Sequence, residues 1–393
     1  MRVAHFGTFD VDNYGDLLFP LIAEWRLPTF SWIHVSPNGE SSGFSDAVHS
    51  VPASQLGFGQ VDGVIIGGGN IVHLRSSPIP EYKSIKYMAY PSITIGALNL
   101  ASKKKLPLVI NGPSIRNLKF GYLEHLLLGK LFDYSNYSAF RDQVSVDIAN
   151  NFNASRAELT PDTVLDISRM WPVSDFEKPS RGESGHIAVH VNSRYGGSVT
   201  DTANALDQIG QITKSEIRFL PIGPCHGDIS YMVDVASQMS TRTRLIHELS
   251  LKEFAKNIAT SKAYVGSSMH GFITAVSYGV PALLVLNNQP LEKFKGLLSA
   301  LEAPKHVVCP TWEIAAQRYS NAWTPAAGTR EKIYTALDCH WVKLENALRQ
   351  PRNSKANLGF GFLKYWLPLA RLSQIEVNFR KAGPWLLRKL TSR

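Results

Sequence analysis

Two serines and a histidine stand together where an apolar run passes into a helix-length segment. Ser267, Ser268 and His270 follow the predicted strand Ala263–Gly266. Backbone N–H groups and small hydroxyls at the first turn of a helix suit a phosphate or a carboxylate. A histidine there can donate a proton near neutral pH. The segment therefore predicts an anion site with His270 as its acid; a structural histidine within a helix is the alternative.

The loop after the first predicted strand, residues 7–16, carries a second set of polar groups. Asn13, Gly15 and Asp16 lie where this loop opens into a helix, whose N–H groups and dipole favour an anion. Asp16 occupies the place expected of an N-cap. One interpretation is a turn with Asn13 and Gly15 at positive φ and Asp16 merely capping. In the other, Asp16 faces a cleft and serves a substrate hydroxyl as a base or a contact.

Three consecutive glycines follow a buried apolar strand. Gly67, Gly68 and Gly69 come after the run 64–66 and precede Asn70. Glycine allows the backbone to approach a ligand closely and to adopt positive φ. The spacing is not GxGxxG and no GK[ST] follows, so neither a dinucleotide loop nor a P-loop is supported. We predict a cleft loop, with a tight turn as the alternative.

Charged residues follow other predicted strands. Arg141 ends a strand and Asp142 starts a helix, where they form either a structural ion pair or part of the cleft. Arg194 lies just past the predicted strand 186–192, and Lys293 follows a strand of the second half. Such cations can hold a phosphate, so both are candidate donor-binding residues, and exposed structural cations are the alternative.

The sequence predicts no metal site and no cofactor. His186 and His190 have the spacing of paired ligands, but on a strand they would stand about 13 Å apart, too far to share one ion. Cys225, Cys309 and Cys339 form neither a CxxC pair nor a disulfide framework. Cysteines so few and scattered are typical of a reducing compartment.

The elements that must position these residues follow one pattern. Short apolar runs alternate with helix-length segments, which is typical of parallel sheets with helices on both faces. The pattern breaks once and restarts. We predict an α/β fold of two facing, doubly wound parallel-sheet domains, 1–165 and 186–348, with a linker 166–185 and a basic helical tail 349–393. Ligands of such sheets bind beyond the carboxyl ends of the strands, so the cleft between the domains is the expected site.

The positive charge of the chain is concentrated in its tail. Among 41 Lys and Arg and 32 Asp and Glu, residues 349–393 hold ten basic residues and one acid, Glu376. The other 348 residues hold 31 of each sign, which argues against nucleic-acid binding. Aromatic residues interleave with the basic ones, as suits an anionic membrane surface. A solvated or body-packed terminal helix is the alternative.

The location follows from what the chain lacks. The first residues do not form a signal peptide, and no run reaches the roughly 18 apolar residues of a membrane span. We therefore expect a cytoplasmic protein, attached at most to the inner face of the membrane.

Taken in order, these segments resemble the polysaccharide pyruvyl transferase family. The resemblance covers roughly residues 1–300 and rests on the order and spacing of its motifs. They are N-Y-G-D (13–16), G-G-G (67–69), R-D-x-x-S (141–145), P-D (161–162), S-S-M-H-G (267–271) with Ala275, Gly279 and Pro281, and then Lys293 and Lys295.

The resemblance implies a glycosyltransferase-B-like fold with an acceptor side in the first domain and a donor side in the second. It also implies transfer of a pyruvyl group from phosphoenolpyruvate to a sugar of a cell-surface glycan, or of its lipid-linked precursor, to form a ketal. The family's motif S-x-R-L-H has Ser268 and Met269 in place of its arginine and leucine here. His270 keeps the acid role, and the phosphate contact of the arginine must fall to Arg194, Lys293 or another base.

Two other functions compete with this one. A sugar-nucleotide glycosyltransferase of the same plan would use the glycine loop and the 267–270 loop for a diphosphate, although the second half shows no E-x7-E-like pair. A non-catalytic envelope-assembly or regulatory protein is the other, and the serine at position 268 is its best support.

Overall fold

The structure, a computed structural model, describes residues 1–39, 42–55, 59–115, 120–152, 157–176, 185–192, 194–247, 250–352 and 365–376. Each half of the chain forms one sheet of parallel strands with helices on both faces. The predicted α/β fold with two parallel-sheet domains is therefore confirmed.

The strands are β1 (Arg2–Phe6), β2 (Ser31–Ser36), β3 (Ser50–Pro52), β4 (Gly63–Gly67), β5 (Leu108–Asn111), β6 (Tyr137–Phe140), β7 (Glu158–Leu159), β8 (His186–His190), β9 (Glu216–Phe219), β10 (Thr243–Leu245), β11 (Ala263–Gly266), β12 (Ala282–Val285) and β13 (Val308–Cys309). The helices are α1 (Tyr14–Arg26), α2 (Ala89–Lys104), α3 (Tyr122–Tyr134), α4 (Gln143–Asn150), α5 (Ile167–Met170), α6 (Val199–Thr213), α7 (Asp228–Ser237), α8 (Leu251–Ala259), α9 (Met269–Ser277), α10 (Glu292–Ala300), α11 (Trp312–Gln317), α12 (Ala327–Arg349) and α13 (365–376).

The strand order fixes where a ligand can bind. It is β3-β2-β1-β4-β5-β6-β7 in the first sheet and β10-β9-β8-β11-β12-β13 in the second. In each sheet the succession reverses at a central pair, β1 with β4 and β8 with β11. Ligands of doubly wound sheets bind beyond the carboxyl ends of the strands at such a reversal. The loops after these four strands are therefore the ones that matter.

The burial of a strand explains whether it can be predicted from the sequence. Every residue of β4 and of β12 is buried, and parallel strands covered on both faces read as continuous apolar runs. Three of the four edge strands, β3, β7 and β13, have only two or three residues each, and the sequence does not predict them, because so short a stretch carries little periodic signal. The short helix α11 was also missed.

The two halves share an apolar interface. Tyr14 of α1 and Phe254 of α8 have ring centroids 5.9 Å apart, and Phe44 reaches the same phenylalanine at 5.4 Å. Asp46 of the first half accepts the N–H of Leu251 at 2.6 Å, at the start of α8 in the second half. The domains are held face to face by these contacts.

Helix α12 returns from the second half to the first sheet. Nε2 of His340 lies 2.8 Å from Oδ1 of Asn111 at the end of β5, and its Nδ1 lies 3.0 Å from the hydroxyl of Tyr137. Lys343 pairs with Glu158 of β7 at 2.7 Å. The predicted second domain, 186–348, therefore ends in a helix that packs on the first sheet.

The predicted linker, 166–185, begins inside packed structure. Asp166 is buried, pairs with Arg26 of α1 at 2.6 Å and accepts the indole N–H of Trp341 at 3.2 Å. Helix α5 follows, and Phe176 is buried. Residues 177–184 lie outside the described ones, and the domain limits stay predictions.

The predicted tail, 349–393, is described at 349–352 and at α13, and the rest of it lies outside the described residues. Ala370 of α13 is buried against the helices of the first sheet. Within the described ranges, none of the helices combines the length and the apolar character that crossing a membrane requires.

Candidate active site

Helix α1 opens at the cleft and is capped by Asn13. The side chain of Asn13 accepts the N–H of Gly15 at 3.1 Å, and its φ is −135°. Gly15 is likewise not among the described residues with positive φ. The prediction of Asp16 as the N-cap is therefore wrong, because the Asx turn at Asn13 starts the helix three residues earlier. Asp16 stands instead in the first turn of α1.

Asp16 is enclosed by the glycine loop after β4. A Cβ at Gly69 would lie 2.9 Å from Oδ1 of Asp16. Gly68 and Gly69 have φ of 80° and 72°, the region that favours glycine. Burial raises the pKa of Asp16 to about 6, against the opposing charges of Arg141 and Lys293. A carboxylate with such a pKa can accept a proton near neutral pH.

The first and last residues of this loop, Gly67 and Asn70, were also predicted to line the cleft. A Cβ at Gly67 would meet Nε2 of His5 and Cβ of Asn111, each at 3.0 Å, so this glycine serves the packing of the sheet. Asn70 is exposed at the far end. Gly69 is thus the member of the loop that touches the catalytic candidate.

The two serines at the start of α9 both have hydrogen-bond partners for their hydroxyl groups. The hydroxyl of Ser268 is the N-cap of α9 and accepts the N–H of Gly271 at 3.2 Å. Ser267 is buried, with Oγ 3.3 Å from Nδ1 of His190. Ser268 therefore satisfies one N–H of the first turn, and the other N–H groups of that turn are left to favour an anion.

Asp228, which sequence reasoning missed, ties these loops together. Its carboxylate is fully buried and accepts the amide of Asn192 at 2.5 Å and the N–H of Gly223 at 2.7 Å, and it lies 2.8 Å from Nε2 of His190. The ends of β8 and β9 and, through Ser267, of β11 are thus joined. His190 therefore links Asp228 to Ser267. The signal in the sequence was an aspartate opening a helix after a strand.

His270 lies where the two halves of the chain meet. A Cβ at Gly15 of the first half would stand 1.8 Å from Nδ1 of His270 in the second. The ring of Phe19 contacts the imidazole edge-on, with centroids 5.5 Å apart. The first turn of α1 therefore packs directly on the predicted acid.

The electrostatics of His270 keep its ring neutral near pH 7. Burial lowers the pKa of His270 to about 4; Asp162 opposes this, and Arg141 and Lys293 add to it. Nε2 of His270 is 3.8 Å from Oδ2 of Asp162. It is buried and finds no hydrogen-bond partner among the described residues. An acid at this position must gain its proton when the site is filled.

Arg141 and Asp142 do not form the predicted alternative ion pair. Asp142 caps α4 by accepting the N–H of Ser145 at 2.8 Å. Arg141 pairs with Asp162 at 2.7 Å and donates from Nε to Ser114 at 2.8 Å. Its charge also acts on the pKa of Asp16, of His270 and of Lys293. Arg141 therefore belongs to the centre of the cleft.

Lys293 and Arg194 bring positive charge from the second half. Burial lowers the pKa of Lys293 to about 8; Arg141 and Arg194 add to this, and Asp16 opposes it. Lys293 is nevertheless an exposed residue, so solvent weakens the effect of burial on its amino group. Helix α10, which carries it, packs on the first half, since a Cβ at Gly296 would lie 2.7 Å from Cβ of Asp142.

Arg194 lies at the edge of this group. Its N–H donates to Oδ1 of Asn192 at 2.9 Å, and its guanidinium lies over the ring of Tyr195, 5.3 Å from the centroid. Its charge contributes to lowering the pKa of Lys293 and of His226, for which burial is the larger cause. The cleft thus gathers three cations, a carboxylate of raised pKa and a neutral imidazole. Within the described ranges, no cluster of His, Cys, Asp and Glu is placed to hold a metal ion.

Comparison with known proteins identifies the family of the chain. A sequence model of the family described as polysaccharide pyruvyl transferase matches residues 12–290, which is more than half of the chain. No sequence among the curated proteins matches it. The matched segment contains all the residues of the cleft named above except Lys293 and its helix.

Solved structures share the fold at low identity. UDP-GlcNAc 2-epimerase from Neisseria meningitidis, bound to UDP-GlcNAc, is 11% identical, with a TM-score of 0.50 over 88% of this chain and 99% of its own. MnaA of S. aureus with UDP is also 11% identical, with a TM-score of 0.51 over 94% of this chain and 97% of its own. The chain therefore has the glycosyltransferase-B-like fold, as predicted.

Proposed function

Because the chain belongs to the polysaccharide pyruvyl transferase family and is thus a transferase, we propose that it moves a pyruvyl group from phosphoenolpyruvate to a sugar of a polysaccharide or of its lipid-linked precursor. The observation that carries this proposal is the setting of His270. Its Nε2 is buried without a protein hydrogen-bond partner among the described residues, and the charges of Arg141 and Lys293 reach it.

Donor binding needs positive charge, because phosphoenolpyruvate carries close to three negative charges. Lys293, Arg194 and Arg141 supply it from both sides of the cleft. In the family's motif an arginine stands where Ser268 caps α9. The positive charges of Lys293 and Arg141 help to lower the pKa of His270. Arg194 is not among the charged groups that shift this pKa. We therefore assign the lost phosphate contact chiefly to Lys293 and Arg141, with Arg194 at the rim.

His270 is assigned as the acid. Its imidazole is neutral near pH 7 in the empty site, because its pKa is lowered to about 4. A bound anion would raise that pKa, since a nearby opposite charge favours the protonated ring. The donor's own charge thus brings His270 to its acid form, and the ring then protonates the methylene carbon of the donor. An oxocarbenium-like centre results at the carbon that bears the phosphate.

Asp16 is assigned as the base. It takes the proton of the sugar hydroxyl whose oxygen bonds to that carbon. A second hydroxyl then displaces phosphate, and the bond between the carbon and the phosphate oxygen breaks. The diol gives up two protons, which balance the one added to the methylene carbon and the one that leaves on inorganic phosphate. The product is a cyclic ketal, and Asn13, Gly15, Gly69 and Asn70 border the acceptor side.

A coupled assay tests the proposal. Purified protein is mixed with phosphoenolpyruvate and a panel of hexosides, and both phosphate release and the mass of the sugar product are followed. We expect phosphate release that requires an acceptor, together with a product that has gained one pyruvyl ketal. Transfer of a sugar from a nucleotide donor, with phosphoenolpyruvate untouched, would instead establish the glycosyltransferase alternative.

A further inference from the structure

Helix α13 packs on the first half of the chain through one face only. Ala370 and Ser373 are buried, and the side-chain amide of Gln374 donates to the carbonyl of Tyr87, just before α2. Trp366 lies over α2, since a Cβ at Gly96 would be 3.8 Å from its ring. The inner face of α13 is therefore fixed to the helices that cover the first sheet.

The outer face of α13 is apolar and joins an apolar surface of α3. Leu372 and Ile375 are 49% and 50% exposed, and Tyr122 and Leu126 of α3 are 69% and 42% exposed. The carboxylate of Glu376 accepts the N–H of Tyr122 at 2.7 Å, which places the end of α13 at the start of α3. Large apolar side chains gathered in this way mark an interaction surface. We call Tyr87, Tyr122, Leu126, Leu372 and Ile375 the α13 face.

The charge next to this face is mainly positive, and the exposed Asp133, two turns beyond Leu126 on the same side of α3, is the acid nearby. Lys83, Lys86 and Arg371 are exposed beside it, and Lys86 lies over the ring of Tyr87 at 4.8 Å. The single acid of residues 349–393, Glu376, is turned to the N-terminus of α3. The sequence that follows α13, 377–393, contains five Lys or Arg and no acid.

We propose that the α13 face docks on a lipid bilayer that contains anionic lipid. Exposed tyrosine and leucine side chains suit the boundary between headgroups and acyl chains, and the surrounding cations suit the anionic headgroups. Anionic headgroups complement the exposed Lys83, Lys86 and Arg371, whereas a second copy of this chain would bring an equally basic surface to them, which favours the bilayer as the occupant. The inference does not depend on pyruvyl transfer.

Vesicle sedimentation of the whole chain tests this docking. The vesicles are phosphatidylcholine with and without phosphatidylglycerol. The test variant is Leu372→Glu with Ile375→Glu, and the matched control is Ile212→Glu with Val233→Glu, which changes two exposed apolar residues on α6 and α7. We expect wild type and control to sediment with the anionic vesicles and the test variant to bind at least tenfold more weakly. Far-UV circular dichroism spectra should be equal in all three, which shows that the substitutions leave the fold intact.

Three outcomes overturn the proposal. The first is wild-type protein that stays in solution with anionic vesicles. The second is a test variant that binds like the control, which would assign binding to the basic residues alone. The third is a wild-type dimer in light scattering that becomes a monomer in the test variant, since the face would then belong to a second copy.

Discussion

Gly15 and His270 lie against each other across the interface between the two halves, so closely that a Cβ on Gly15 would stand 1.8 Å from Nδ1 of the imidazole. The contact brings the first turn of α1, with Asp16, to the first turn of α9, with His270. Glycine is required here by close approach rather than by φ, since Gly15 is not among the described residues with positive φ.

Replacing Gly15 tests this contact. In Gly15→Ala the ring must move or the halves must part, and a displacement of about 1 Å can cost about 100-fold in rate. We expect such a loss of turnover. Gly328→Ala is the control, because no atom lies within 4 Å of the Cβ it would add. Equal turnover in both variants would show that the packing of His270 against α1 has no bearing on the reaction.

Replacing His270 tests the acid. His270→Asn should lower kcat by about 10²–10⁴-fold while phosphoenolpyruvate still binds. In wild type, an NMR titration of the imidazole should give a pKa of about 4 without donor and a higher value with it, because the bound anion favours the protonated ring. A variant with near-full turnover would remove the acid role, and a pKa unmoved by the donor would remove the activation step.

We expect the Asp16 carboxylate to lower the stability of the folded protein at neutral pH while it serves the reaction. Its folded pKa of about 6 lies above the ordinary value of 3.8, so the folded state binds the proton more tightly and loses stability as pH rises from about 4 to about 6. Asp16→Asn removes this cost and should raise the free energy of unfolding at pH 7 by up to about 3 kcal/mol, with little change at pH 4. Turnover should be lost. Denaturant unfolding at the two pH values measures this difference, and a variant less stable than wild type at pH 7 would contradict the raised pKa of Asp16.

We expect Lys293 to make donor binding weaker at high pH. Its pKa of about 8 means that the free protein loses this charge as pH rises through 8, so kcat/KM for phosphoenolpyruvate should fall above that pH. Lys293→Arg should move the fall to higher pH, and Lys293→Met should raise KM at least about tenfold, as loss of a charged hydrogen bond does. Lys295→Met is the matched control, because Lys295 lies on the same helix, pairs with Glu292 at 3.1 Å and is not among the charges that shift the pKa of Asp16 or of His270. An equal effect of both methionine variants would mean that only net charge matters.

The inner strands and most helices could be predicted because they are buried on periodic or continuous apolar faces. The site could be predicted only as a set of loops. Which residue caps a helix depends on one hydrogen bond, and Asn13 displaced Asp16 from that place. Arg141 found its partner in Asp162, twenty-one positions along the chain, and His340 found Asn111 at a separation of 229. Pairings at such distances follow from the closure of the whole fold, and no local pattern encodes them.

The measurement that tests the central claim most directly is a thermal-shift comparison of phosphoenolpyruvate with UDP-, GDP- and CMP-sugars. A ligand at 100 times its Kd stabilises the folded state by about 2.7 kcal/mol, which raises Tm by several degrees in domains of this size. We predict stabilisation by phosphoenolpyruvate that Lys293→Met loses and Lys295→Met keeps. Stabilisation by a nucleotide sugar, with none by phosphoenolpyruvate, would contradict the account.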